Sequence, residues 1–584
     1  MKKYIQRAFN NLSHSSEVYR YISYLVLSSA VGAFAGVGAT FFRILLNMMR
    51  RLFDTDNPGS LVIRYEYLII VVPVIGGIII ATMTRLFPAA AGERGVTSII
   101  KSLLLRNGHI PLKVTAFHIA APVIAIGTGA PLGPEGPSAK IGSGMGSLLC
   151  QVLRLPPNDM KMFTAAGAGA AIAAVFNAPI AGVFFGIEVI LLNKIKNNFL
   201  GCFIIAAVAA NLISHAISPE GTLFAIPHYK PPMLADYPIF ILCGVACGMV
   251  SLLYYAMSRF EKYVIDDMLR IRNEYLKLLP LCVIFGFVVF YYREIYGLGY
   301  TTIHRILNGT IAFDRVGILL ILKIVFVAFF LRCGSYGGIF APALSMGAMT
   351  GYLLSSVINN VFQTHIDTVL FTVAGMGGVL AGMNTIPLTA IMLVFEVTGD
   401  YRLILPLMIV SVISYLAIMY VHKENRYVLE LLEDGVSVST LADENILSNI
   451  IVKDIMRTNV PVAGRNTPLR TILSMLEDSP YGDCVVLDSL LRVDGVISLN
   501  TIKYVLVSAD IADFLIAIDV CEDVPLLAAG DTAFSAVEKI NEYDLDTLPV
   551  VSSLESREFI GVVTRHEIMK AYHRTLKSRD IPKP

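Results

Sequence analysis

The sequence predicts an α-helical, polytopic membrane protein built from an internal repeat of tilted and broken helices, followed by a soluble α/β pair of modules. Three observations carry this. Of 584 residues, 55% are hydrophobic and 16% charged, well below the charge content of soluble domains. Apolar runs fill the chain to about residue 421, and several fall short of the ~20 residues that span a bilayer. After residue 421, short β-rich runs alternate with helical ones.

Residues 1–20 carry Lys2, Lys3, Arg7 and Arg20 without a long apolar core. They read as a basic cytoplasmic tail rather than a cleavable signal peptide. The membrane domain is expected over 21–426, with apolar runs at 21–48, 66–88, 113–126, 138–153, 162–175, 179–193, 199–217, 237–258, 277–292, 316–332, 339–358, 367–382, 387–397 and 403–421. Its repeat halves fall at about 21–217 and 237–426. Ala166-Gly-Ala-Gly-Ala-Ala-Ile-Ala173 resembles Ala374-Gly-Met-Gly-Gly-Val-Leu-Ala381, Pro179 matches Pro387, and Glu188-Val189 matches Glu396-Val397, all three 208 residues apart. Gly133-Pro-Glu-Gly-Pro137 is matched near 205 residues on by Gly337-Gly-Ile-Phe-Ala-Pro342. A Gly pattern, a Pro and a Glu in one register indicate an internal duplication. Short, Gly/Pro-interrupted segments at matching places in two halves point to a transport site.

The stretch Gly127–Gly142 is the densest such interruption, with three prolines and one carboxylate, Glu135. Gly and Pro end helices, and in lipid broken backbone survives only where it is buried or lines a polar cavity. Glu135 therefore sits at a helix break, with Pro137 just inside the next helix. Free N–H groups at such a start attract anions. An ionisable residue at membrane depth marks function; the plainer alternative is a surface loop with Glu135 in water.

Net charge is +1, so composition gives no argument for nucleic acid. The eight cysteines are scattered between Cys150 and Cys521 and read as core thiols, not as a disulfide framework or zinc site. His-Glu-x-x-His and Gly-x-x-x-x-Gly-Lys-Ser/Thr are both absent, which leaves intramembrane proteolysis and ATP-driven pumping without support. No catalytic residue and no metal ligand is assigned, and the chain is not expected to be an enzyme. A divalent-cation channel would need more acidic residues at depth than Glu135, Glu188 and Glu396.

Gly133-Pro-Glu-Gly-Pro137, Phe176-Asn-Ala-Pro179, Gly337-Gly-Ile-Phe-Ala-Pro342 and Phe395-Glu-Val-Thr-Gly-Asp-Tyr-Arg-Leu-Ile-Leu-Pro406 match, in order and spacing, the motifs of the CLC family of chloride channels and proton/chloride antiporters. The resemblance covers about residues 20–430. It implies the CLC fold with its inverted repeat, and a homodimer with one pore per subunit. It implies a gating role for Glu135, with Gly136 beside it at the same helix start as an anion-binding position. Backbone N–H groups of Ile339 and Phe340 would bind the central anion, and Tyr427 would offer its hydroxyl from the cytoplasmic side. An unhydrated anion needs N–H donors without a full counter-charge that would trap it.

Three positions depart from the family pattern. Arg94, in Gly92-Glu-Arg-Gly-Val-Thr97, stands where a small hydroxyl residue is usual. It either attracts anions in the inner vestibule or pairs with Glu93. Glu188 and Val189 fall at the proton-path position, where proton-coupled members often carry a second acid after the first, and Val189 relays no proton. Lys140 replaces an uncharged polar residue and would favour ionised Glu135 if it faced the pore.

Residues 427–451 read as a linker and 575–584 as a C-terminal tail, and 452–510 and 511–574 resemble a tandem CBS pair. In the pair, Val452–Met456 is expected to open the first module and Val520–Leu527 the second. Gly561-Val-Val-Thr564 with Glu567 resembles the phosphate and ribose end of an adenosine-nucleotide site (ATP, ADP or AMP). The first module offers Ser498 and Thr501 without an acid. The alternative is a structural dimerisation platform. No cofactor is required for transport. The expected activity is glutamate-gated transport of chloride or a related anion, channel-like or weakly proton-coupled, with a proton/chloride antiporter as the alternative. The expected setting is a lipid bilayer, the inner or plasma membrane of a prokaryote, with the CBS pair cytoplasmic and tuning transport through the last membrane helix and Tyr427.

Overall fold

The computed structural model describes residues 17–579 apart from 54–58, 194–198, 220–222, 272, 437–446, 448–449, 478–482, 499–501, 503–514, 544 and 554. Lys2, Lys3, Arg7 and Thr501 lie outside the described residues. The chain divides into two compact units, Met1–Val436 and Ser437–Pro584.

The first unit is helical. Its first half contains α1 (Glu17–Phe53), α2 (Leu68–Leu86), α3 (Thr97–Leu105), α4 (Leu112–Gly127), α5 (Glu135–Leu153), α6 (Pro157–Phe176), α7 (Pro179–Phe184, continued as a π turn to Ile190) and α8 (Leu200–Ile217). The second contains α9 (Tyr237–Lys262), α10 (Glu274–Tyr291), α11 (Tyr300–Leu307), α12 (Phe313–Arg332), α13 (Phe340–Phe362), α14 (Thr368–Asn384), α15 (Pro387–Thr398) and α16 (Ile404–His422), followed by α17 (Arg426–Glu433). Every predicted apolar run is a helix. Among the described residues, eight helical stretches are long and apolar enough to cross a membrane.

The repeat organises the packing. α5 crosses α6 at Gly142 and Gly167: a Cβ on either would lie 2.2 or 2.4 Å from the other's carbonyl oxygen. α13 crosses α14 at the repeat-related Gly347 and Gly375, with corresponding distances of 2.2 and 2.3 Å. Small residues let membrane helices approach where no hydrophobic effect drives association.

Three helices went unpredicted. α3 and α11 are short and interleave polar with apolar residues, with Thr97, Ser98, Ser102 and Thr302 buried, so neither reads as an apolar run. α17 occupies the predicted linker, yet its Tyr427 and Leu431 are buried and the first unit extends to Val436, not Arg426. Buried charge is also more extensive than expected. Glu261, Lys140 and Lys323 are 3%, 1% and 0% exposed, so Glu135, Glu188 and Glu396 are not the only deep ionisable groups. Lys323 is held by the carbonyls of Ile295 and Gly297 at 3.1 and 2.9 Å.

The second unit holds two three-stranded sheets. In the first, β1 (Val462–Gly464) runs parallel to β2 (Asp483–Leu487), which is antiparallel to β3 (Val493–Ser498). In the second, β4 (Leu527–Ala528), β5 (Thr547–Val551) and β6 (Phe559–Thr564) repeat that order. Helices α18 (Leu469–Glu477), α19 (Ala533–Glu542) and α20 (Arg565–Arg579) complete the modules. The opening segments are exchanged relative to the sequence expectation. Val452 packs in the second core with Leu527, Leu548 and Val563, and its N–H donates to Asp531 O at 2.9 Å. Ala517 and Val520 pack in the first core with Ala463, Cys484 and Ile497. Each module needs an apolar lid for its sheet, and the linking segment supplies it to the other module.

Candidate functional site

The site forms where two broken helices begin. The loops before α5 and α13 are joined by reciprocal backbone bonds, Gly133 N–H to Gly338 O at 2.8 Å and Gly338 N–H to Gly133 O at 2.7 Å. Glycine at both positions leaves room for the Glu135 carboxylate where it stands. A Cβ at Gly133 or Gly338 would lie 2.1 or 2.2 Å from a carboxylate oxygen of Glu135. The paired loops therefore hold a slot the size of that carboxylate between two helix starts. Glu135 is the first residue of α5 and is 1% exposed. Its Oε1 accepts the N–H of Phe340, the first residue of α13; Oε2 meets no donor among the described residues. A negative group thus lies on the positive end of a helix.

Below the slot lies a cavity of about 330 Å³, lined by Glu135, Gly136, Ile339, Phe340, Tyr427 and Arg94, and also by His118, Lys140, Asn384, Arg426 and Glu430. α17 places Tyr427. Asn425 caps it by accepting Tyr427 N–H at 2.9 Å, and Arg426 N–H bonds Thr385 Oγ1 at 3.0 Å. The Tyr427 hydroxyl donates to Asn384 Oδ1 at 3.4 Å. Arg426 lies over the rings of Tyr254 and Tyr255 at 5.5 and 5.9 Å and binds Glu430 Oε1 at 2.9 Å. Thr97 donates to the other oxygen of Glu430, fixing α3 to α17.

Six sequence-predicted residues thus share one cavity. Others fall elsewhere or behave differently. Arg94 does not pair with Glu93; it stacks over Tyr336 at 5.0 Å and approaches Glu274 at 3.7 Å. Lys140 lines the cavity, but its ammonium donates to Glu93 Oε2 at 3.2 Å and Ser98 Oγ at 2.8 Å, so it is balanced by Glu93 rather than by Glu135. Val189 is fully buried and off the cavity. Glu188 is also off it, its carboxylate taking the N–H groups of Leu388 and Thr389 at the start of α15. Sequence reasoning missed Glu93, His118, Asn384 and Glu430. The available signal was polar residues within or beside otherwise apolar segments, for which an inward orientation is the rule.

In the second unit, Thr564 and Glu567 lie at the start of α20. Thr564 Oγ1 accepts Glu567 N–H at 3.2 Å, and the Glu567 carboxylate takes Arg457 Nε at 2.9 Å. Ser498 ends β3 opposite Asp483.

The voltage-gated chloride channel family matches residues 76–418. The chain belongs to this family. CBS domains match residues 452–508 and 516–574. An H(+)/Cl(-) exchange transporter, ClcA, of Vibrio cholerae is 31% identical over 414 residues, covering 67% of this chain and 85% of its own. The chloride channel protein CLC-f of Arabidopsis thaliana is 26% identical over 543 residues, covering 82% and 69%. A slow cyanobacterial Cl-/H+ antiporter of known structure superposes with TM-score 0.62 at 23% identity over 72% of this chain and 99% of its own. A eukaryotic CLC transporter gives 0.59 at 16% identity over 94% and 98%. The fold is therefore the CLC fold, a multi-pass membrane domain followed by a CBS pair.

Proposed function

We propose that this CLC chain moves chloride or a related anion across a membrane along the cavity at the starts of α5 and α13, with Glu135 as the gate. The observation that carries the reading is the Phe340 N–H donating to Glu135 Oε1. The carboxylate occupies the place an unhydrated anion needs: a helix start with N–H donors and no full positive charge. Protonation removes the charge that holds it there and leaves the donor to the anion. Gly136, Ile339 and Phe340 then line the upper part of the path, and Arg94 and Tyr427 its inner part. Chloride flux against pH in Glu135→Gln tests this.

Val189 offers no acid at the inner proton-path position, so transport is channel-like or weakly proton-coupled. A proton/chloride antiporter is the second reading, favoured by the exchange transporter among the relatives. The protein works as a homodimer in a prokaryotic inner or plasma membrane, with the CBS pair cytoplasmic and regulatory. An adenine nucleotide at Thr564 and Glu567 would have to share the Glu567 carboxylate with Arg457; calorimetry of ATP and AMP against residues 437–584 tests that site.

A further inference from the structure

The Lys140–Glu93 pair separates two cavities. Lys140 lines the anion cavity, and Glu93 does not. Glu93 lines a second cavity of about 480 Å³, with Ser98, Lys101, Arg106 and Asp434 on its wall, and Lys140 does not. The ammonium reaches through the partition to Glu93 at 3.2 Å and Ser98 at 2.8 Å. Lys140 is 1% exposed and the Glu93 side chain 18%. An ion pair this buried is weak evidence for a stabilising role, because desolvation offsets much of its attraction. Its position makes a different use available.

We propose that Lys140 and Glu93 form a proton relay that connects the second cavity to Glu135 and bypasses Val189. The inference rests on the reading of Glu135 as a gate that binds protons, and supplies the route for its weak coupling. A proton in the second cavity binds the Glu93 carboxylate. The Lys140 ammonium releases a proton through water in the anion cavity to the Glu135 carboxylate. The Lys140 amine so formed takes the proton from the Glu93 carboxyl group, restoring the ion pair. One proton leaves the second cavity, one arrives on Glu135, and the relay regains its starting charge.

Other charged and titratable groups surround the pair. Arg106, just past the end of α3, binds the second oxygen of Glu93 at 2.6 Å and holds it ionised between transfers. His118, on α4, lines the anion cavity with Nδ1 bound to Val114 O at 2.9 Å; its Nε2 meets no partner among the described residues. Arg94, Leu331 and Arg332 lie on both walls.

The test is chloride-driven proton movement by full-length protein in liposomes, with chloride flux recorded in parallel. Lys140→Arg is the deciding variant: it keeps the charge and the ion pair, but a guanidinium does not give up its proton. The expected result is at least a roughly tenfold loss of protons moved per chloride in Lys140→Arg and in Glu93→Gln. Proton movement unchanged in Lys140→Arg overturns the relay, since water alone then carries the proton. Wild-type protein that moves chloride without protons also overturns it. Neither result touches the gate, which is judged separately by the pH dependence of Glu135→Gln.

Discussion

Glu188 and Glu396 each cap the start of the helix that carries the other. Glu188 takes the N–H groups of Leu388 and Thr389 at 3.2 and 2.7 Å, and Glu396 takes those of Ile180 and Ala181 at 2.9 and 2.8 Å. The arrangement is the sequence repeat made physical. Each carboxylate and each donor has its counterpart 208 residues on, so one half closes the other. The helix starts it serves, α7 and α15, expose Ile180 and Leu388. In an apolar surrounding, unmet N–H groups there would be costly.

Replacing either acid by Gln should therefore destabilise the first unit by about 1–3 kcal/mol, because a charge-assisted acceptor for two N–H groups is lost. Thermal unfolding in detergent measures this. The Glu188 variant should cost more, because Thr389 Oγ1 also donates to Glu188 Oε2 at 2.6 Å and Ala181 offers Glu396 no such hydroxyl. A Glu188→Gln protein with unaltered stability but altered proton movement would return Glu188 to the proton path and remove it from the scaffold.

The helix crossings give a sharper contrast. Gly142→Ala places a Cβ 2.2 Å from the Gly167 carbonyl oxygen, and backbone cannot yield as a side chain tip can. The variant should fail to give a monodisperse protein. Gly317→Ala, inside α12 with nothing within 4 Å of the new Cβ, should be neutral or stabilising by about 0.5–1 kcal/mol. Size-exclusion profiles and melting temperatures of the two variants check both expectations.

Much of this architecture was legible in the sequence, for physical reasons that also mark where legibility ended. Apolar runs find helices, because lipid leaves the backbone no other partner. A Gly/Pro break around Glu135 finds the site, because no buried helix needs that composition. α3 and α11 were invisible because they are nine and eight residues long and interleave polar with apolar residues. α17 reads as linker because the polar stretch His422–Arg426 ends the apolar runs, yet Arg426 is met by Glu430 and the Tyr254 and Tyr255 rings. The exchange of segments between the CBS modules leaves no local trace, since Val452 and Val520 are apolar whichever sheet they cover. The tie between Lys140 and Glu93 spans 47 residues and no spacing rule reaches it.

In the second unit, Asp483 is 8% exposed and accepts the Thr547 hydroxyl. Burial pushes its carboxyl above the usual aspartate value, with Asp546 adding to the rise and the Thr547 bond opposing it. The folded state therefore binds this proton more tightly than the unfolded state. Its contribution to stability is complete below the unfolded value and is lost as pH rises through the folded one. Asp483→Asn, which keeps an acceptor for Thr547, should make residues 437–584 more stable at neutral pH and flatten their acid-side pH dependence. Urea unfolding of both proteins between weakly acid and neutral pH tests the sign. Equal pH dependence in the two would show that Asp483 titrates normally.

The gate is the claim on which the rest depends. Its most direct measurement is chloride flux through reconstituted protein across a pH series, wild type against Glu135→Gln. Glutamine keeps the shape of the side chain and lacks the charge that holds it at the Phe340 N–H. Wild-type flux should rise as Glu135 protonates. In Glu135→Gln, flux should match or exceed the wild-type maximum and lose most of its pH dependence. A variant whose flux keeps the full wild-type pH dependence would contradict the assignment of Glu135 as the gate.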